Sequence, residues 1–277
     1  MKALSTPSWF AVARTPSIAT MGAVHGVSFK YVGLAGVAAA AARWMTPSDM
    51  DRLLFADDAD LSGLYNIQLL FVLYLYNVSF INLVIAILFN LQLGMGILGK
   101  DPVSGSIPIW SYVLFFGFHG PTYFYTKIQR ERDRRSGVAP ADEVEPGWWV
   151  GGRYSHELGK RWAGTIDLTC EFPETSTQEK YLLVECWDGV PPSPEQLEEA
   201  AQFSIAAHER GDVLVHCAHG RGRSTTTLCA CLVRAGRYPT WEDAFAAIKQ
   251  KRRVVKLNRS MRRALTEWQA KYSTKVK

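Results

Sequence analysis

Apolar positions follow one regime up to about residue 126 and another from about residue 147. Residues 61–99 contain no charged side chain, and 109–126 form a second charge-free run rich in aromatic residues. Neither run has the polar face of a helix on a soluble core, so 61–126 is expected to be a transmembrane helical region. As one helix the first run would be about 58 Å long, against a hydrocarbon core of about 30 Å. Two arrangements answer that excess. One has two crossings, 61–78 and 80–98, with a tight turn near Tyr76 to Asn82; the other has a single tilted helix with an interfacial or re-entrant extension. Between the two runs, DPVSGSIP at 101–108 reads as a loop from its proline, glycine and serine content.

Further along, short apolar runs alternate with helical patterns. WWVGG from Trp148, GTIDLT from Gly164, YLLVECW from Tyr181 and DVLVHC from Asp212 predict strands. A helix is expected to start at Ser193 as N-cap with Pro194 in its first position, and others at 223–235, 240–251 and 259–272. Strands alternating with helices imply an α/β fold, a central sheet flanked by helices. The expected organisation is a tail over 1–60, the membrane region 61–126, a basic segment and linker over 127–146, and an α/β domain over 147–277.

Charge refines this picture. The net charge of +5 is modest, and no segment combines a basic face with aromatic platforms, which sets nucleic-acid binding aside. KIQRERDRR, 127–135, carries five basic and two acidic residues directly after an apolar run. The positive-inside rule then places the following domain on the cytosolic side of an integral membrane protein, or the equivalent side of an organellar membrane. The first 48 residues lack Asp and Glu and carry Lys2, Arg14, Lys30 and Arg43. That suits a targeting segment or loose tail, and also a tail followed by a weak membrane helix over 21–42. Cys170, Cys186, Cys217, Cys229 and Cys231 form neither a secretory disulfide framework nor paired zinc hooks, and fit reduced thiols.

The chemistry concentrates in HCAHGRGRST, 216–225, where the end of a buried strand turns into a helix. Such a turn offers unpaired N–H groups and the positive end of a helix dipole to an anion. Gly220 and Gly222 permit tight curvature and positive φ. Cys217, where those N–H groups converge, is expected to be a thiolate nucleophile. Arg223 has the planar fork that matches two phosphate oxygens, and Ser224 can donate to the sulfur as it leaves. No metal or other cofactor is required by this chemistry. His216 reads as a hydrogen-bonded structural histidine that helps the loop's charge balance.

HCAHGRGRS resembles the active-site signature of the cysteine-dependent tyrosine and dual-specificity phosphatases: His-Cys, five residues, Arg, then Ser or Thr. The resemblance spans about 147–272 and implies a dual-specificity phosphatase-like fold. It also implies an aspartic general acid on an upstream loop, which CWDGVPP supplies as Asp188, with Asp167 and Asp212 as rivals on strands. Ala218, His219, Gly220, Arg221 and Gly222 would bind the phosphate, and Arg253 and Asn258 match a pair at the pocket rim in some members. The implied activity is hydrolysis of a phosphomonoester through a phosphocysteine intermediate. A phosphoprotein is the first expected substrate. A phospholipid is the second, because a basic residue at Arg221 resembles the loops of phosphoinositide and phosphatidylglycerophosphate phosphatases. A catalytically idle phosphate-binding scaffold on the membrane is the reading from another class.

Overall fold

The computed structural model describes residues 25–46 and 63–272; the readings made for 1–24 and 47–60 lie outside the described residues. Helix α1 (His25–Met45) lies beside α2 (Gly63–Leu91). At 1.5 Å per residue, α2 is about 43 Å long, and it runs unbroken through 76–82, as in the single-helix alternative and without the turn that two crossings would need. The reason lies partly in Asn82: it is fully buried and its amide donates to Val78 O at 2.8 Å, within the helix, and to Gly117 O at 2.9 Å, on a neighbour. Its polarity serves helix packing instead of a turn. The chain reverses only after Leu91, through Gln92 and Gly94 at positive φ, into a short 3-10 turn, Met95–Leu98.

The second apolar run also departs from expectation. It divides at Phe115 into α3 (Ile109–Leu114) and α4 (Phe116–Arg135), and α4 carries Pro121 and continues through the whole basic stretch 127–135. A Cβ on Gly117 would lie 2.8 Å from Val78 Cα, so glycine is what lets α4 approach α2 this closely. Among the described residues, Ile67–Leu91 is the one helix long and apolar enough to cross a membrane, with a mean hydropathy of 2.1.

The remainder is a five-stranded sheet between helices. Strand order is β1 (Ala141–Glu145), β2 (Trp148–Gly152), β5 (Val213–Cys217), β3 (Arg161–Asp167), β4 (Thr177–Leu183). All neighbours are parallel except β1, which pairs antiparallel with β2. The end of the segment 127–146, expected to be a linker, thus holds an edge strand. Ala141 and Val144 turn inward there while Glu143 faces out, and a bulge near Glu145 offsets the alternation by which a strand is recognised. Helix α5 (Pro194–His208) begins as expected: Ser193 Oγ accepts from Gln196 N at 3.2 Å and the Gln196 side chain accepts from Ser193 N at 2.9 Å, a capping box. Helices α6 (Arg223–Arg234), α7 (Trp241–Lys251) and α8 (Arg259–Tyr272) complete the cover. Val150, Ile166, Val215, Leu228, Leu232 and Trp268 are among the buried residues of the core so formed. Strand β5 is buried over its full length, and Cys217 lies at its carboxyl end, where open parallel sheets bind ligands.

Candidate active site

Cys217 is 3% exposed and ends β5; Arg223 is 1% exposed and opens α6; the five residues between them form the loop. Of the two loop glycines, only Gly220 has positive φ (66°), and a Cβ there would lie 2.5 Å from the carbonyl carbon of Gly151. Gly222, expected to share that conformation, has φ −117° and caps α6 without a side chain; a Cβ there would press on the terminal methyl of Met261 at 2.9 Å. The first turn of α6 then absorbs its own threonines, with the hydroxyls of Thr225, Thr226 and Thr227 donating to the carbonyls of Arg221, Gly222 and Arg223.

Burial by itself would raise the Cys217 thiol. The Arg223 charge, the Ser224 hydroxyl at 3.4 Å and the backbone N–H groups of Ser224 and Arg221 outweigh it and hold the thiol below its ordinary value. Cys186 shows the contrast: burial, only partly relieved by Arg223, pushes its thiol up to about 12. The loop therefore makes Cys217 a more acidic thiol than the buried Cys186. Cys170, Cys186, Cys229 and Cys231 are buried free thiols.

Arg223 is positioned by a residue the sequence reading did not single out. Glu171, 5% exposed, accepts from Nη2 at 2.7 Å and from Nη1 at 3.2 Å, while Nη1 also donates to Leu168 O and Cys186 O. The guanidinium is thus fixed with its Nε–H, buried, still lacking an acceptor. Asp188 brings a carboxylate oxygen to 3.6 Å from Nη2 and remains 41% exposed at the mouth. Its loop is held at two points. Asn258, expected at the rim, donates to Gly189 O at 2.8 Å and accepts from Met261 N at the start of α8. Trp187 Nε1 donates to Leu93 O at 2.9 Å, just after α2, and its ring packs against Phe89 and Phe118.

Arg253 is exposed, with no hydrogen bond or ion pair among the described residues; its neighbour Arg252 is the one tied to the loop. Arg252 is 3% exposed and donates from Nε to Gly220 O at 2.8 Å and from Nη2 to His219 O at 3.3 Å, with Nη1 on Ala139 O and Asp142. Arg221 also departs from expectation: it donates to Asp133 of α4 at 2.5 Å, which spends its charge on the helix. In the same way Arg130 pairs with Glu157, and Arg134 and Arg135 with Glu131, so much of the basic run is neutralised locally.

Below the loop is a buried charge network. His216 Nε2 lies 2.6 Å from Glu174 and 3.8 Å from Asp167. Burial opposes its charge, but the two carboxylates prevail and raise it to about 9. Lys100, from the loop after α2, is buried against Asp167 and donates to Thr169 O at 2.9 Å; Tyr181 donates to Asp167 at 3.1 Å. The donor atoms of Asp167, Glu174 and His216 lie within 4.8 Å of one another, a spacing open to a metal ion. Lys100 on Asp167 and a protonated His216, which has no lone pair to give, make it an ion-pair network. Asp167, a rival for general acid, belongs here, and Asp212 pairs with Lys160.

Residues 171–271 match the family model for the dual specificity phosphatase, catalytic domain. Comparison with curated proteins gives no match. Among solved structures, PTPMT1 in complex with PI(5)P is similar at 20% identity, covering 50% of this chain and 100% of that one with a TM-score of 0.42. Human DUSP28 is similar at 20% identity, 49% and 96% coverage and a TM-score of 0.42, and Tk-PTP in the active form at 20%, 47% and 97% and 0.40. Residues 171–271 are thus similar to the dual-specificity phosphatase catalytic domain, and that match supports a cysteine-dependent phosphatase.

Proposed function

We propose that the chain is a membrane-held phosphomonoesterase that works through a phosphocysteine intermediate. The observation that carries this reading is the Arg223 guanidinium, locked by Glu171 with a buried N–H left over, beside a thiol held low in a loop of N–H groups. Such a constellation matches a phosphate dianion in charge and in donors. Cys217 attacks phosphorus as the P–O ester bond breaks, and protonated Asp188 gives its proton to the leaving oxygen. Arg223 and the N–H groups of Ala218 to Gly222 hold the other oxygens. Water then attacks the phosphocysteine, its proton passing to the Asp188 carboxylate, and the P–S bond breaks to release phosphate and a thiolate that Ser224 steadies. The membrane assignment rests on α2, whose outward residues Ile67, Leu70, Leu73, Phe80, Leu83 and Ile87 are all at least 47% exposed. The test is phosphate release from a small aryl phosphate by the full chain in detergent, with acid quenching to trap the phosphoenzyme. Release and a trapped phosphocysteine, both lost in Cys217→Ser, are expected. Release that survives Cys217→Ser, or none from folded protein, overturns the reading.

A further inference from the structure

Helices α1 and α4 leave a groove of about 580 Å³ between them, and its floor borders the active-site loop. Glu171, Asp188, Ala218 and His219 line the floor, the Glu171 carboxylate being engaged by Arg223; Leu34 and Val37 of α1 and Phe124 and Ile128 of α4 line the walls. The volume falls within the range of about 300–1,000 Å³ typical of small-molecule sites. We propose that this groove is an acyl-chain site, and that the substrate is a phosphomonoester lipid whose chain lies between α1 and α4 while its phosphate reaches the Cys217 loop. The proposal rests on the phosphomonoesterase reading and names its substrate class.

Three observations carry it. The cavity is two-ended, with an anion cradle at the floor and hydrocarbon along the walls, which is the pattern of an amphiphile. A phosphopeptide laid in the same groove would set a backbone N–H and C=O per residue against walls with few polar partners, a cost that a hydrocarbon chain does not incur. Second, the walls continue outward as apolar surface. Val37 is 71% exposed and Phe124 65%, on the same helices, so a chain can enter sideways from a bilayer. Third, Lys30 also lines the groove, its ammonium 5.5 Å from the centre of the Tyr125 ring, and no carboxylate pairs with it among the described residues. It is a cation available to an anionic headgroup. The wall is fixed relative to the chemistry, because Tyr31 of α1 packs on Phe89 and Phe118, the same rings that hold Trp187 beside Asp188.

Gly33 provides the probe. It lines the groove, and a Cβ added there meets nothing within 4 Å. Leucine also favours a helix over glycine, so Gly33→Leu narrows the groove without threatening α1. The full chain in mixed micelles is given phosphatidylglycerophosphate and a phosphatidylinositol phosphate, each as dibutanoyl, dioctanoyl and dioleoyl forms, beside a phosphotyrosine peptide. The expected result is a kcat/KM at least tenfold higher for dioleoyl than for dibutanoyl lipid and for peptide, with the dioleoyl-to-dibutanoyl ratio reduced at least fivefold by Gly33→Leu. Preference for one headgroup would identify the source of the phosphate. Equal turnover at all chain lengths, a peptide preferred over every lipid, or a ratio untouched by both Gly33→Leu and Leu34→Trp would overturn the proposal, the last because mere tethering to the micelle would then explain the preference. The dibutanoyl arm separates the two levels: turnover there with a flat series sinks the groove alone, whereas no turnover of any phosphate ester sinks the phosphatase reading with it.

Discussion

Arg223 and Arg252 are both buried guanidinium groups that serve the same loop, yet they do so in different ways. Arg223 is held by a carboxylate and by carbonyls outside the loop, and faces Cys217 with a donor to spare. Arg252 spends its donors on the loop's own carbonyls, Gly220 O and His219 O, and on Asp142. A peptide unit whose C=O is drawn one way presents its N–H the other way, so Arg252 helps aim the loop's amides while Arg223 supplies charge to whatever they bind. In the proposed mechanism one arginine acts on the ligand and one on the backbone. Only the first falls within a sequence motif.

That division is open to experiment. The largest effect is expected at the nucleophile and its charge partner. Cys217→Ser should lower kcat by at least about a thousandfold, and Arg223→Lys by about 10²–10³, because an ammonium cannot reproduce the fork. Steady-state kinetics with an aryl phosphate measure both. Asp188→Asn should cost about 10²–10⁴ in kcat with a phenyl ester, and much less with a leaving group that needs no proton; an equal loss on both esters would remove Asp188 from the acid role. Arg252→Ala should fall mainly on the fold. Losing a buried cation that partners Asp142, itself 28% exposed, should cost about 3 kcal/mol in urea unfolding, while phosphate affinity weakens with the misaligned amides. A loss of kcat like that of Arg223→Lys, with stability unchanged, would abolish the distinction between the two arginines.

A further effect is a pH dependence from beneath the loop. His216 is raised from an unfolded value of about 6.5 to about 9 when folded. Its contribution to stability should therefore be fully present below pH 6.5 and lost as pH rises through 9. Unfolding midpoints between pH 6 and 9.5 should fall less steeply in His216→Asn than in the parent chain. The same slope in both would mean that another group titrates in this window.

Much of the α/β architecture was legible because local signals coincide there. An apolar strand, two glycines and a helical pattern meet at 212–235, and Ser193 and Pro194 announce α5. Legibility fails where the partner is distant in sequence. Glu171 follows Cys170 and precedes Phe172 with nothing local to mark it, and its role exists only because α6 brings Arg223 to it. Arg252 and Arg253 are adjacent basic residues, and which of them turns inward is decided by the end of α7 and by Asp142, 110 residues away. The Arg221 side chain gave no local sign of its partner, Asp133 of α4, which lies 88 residues away. Strand β1 was hidden by its acidic residues and its bulge, and the choice between one helix and two crossings in 61–98 was left open because length alone does not decide it.

The hydrogen bond from Trp187 to Leu93 has a practical corollary. A shortened protein beginning at Gly147 would retain the loop, Arg223 and Asp188, yet would bare Trp187, Cys170 and Val190, which now pack under Phe89, Leu98 and Phe118. It would also strand the Asp167 carboxylate without Lys100. The amino-terminal helices are thus no detachable tether. A soluble truncation would be a different catalyst, with a looser acid loop and a sticky flank, and its inactivity would say little about the parent chain.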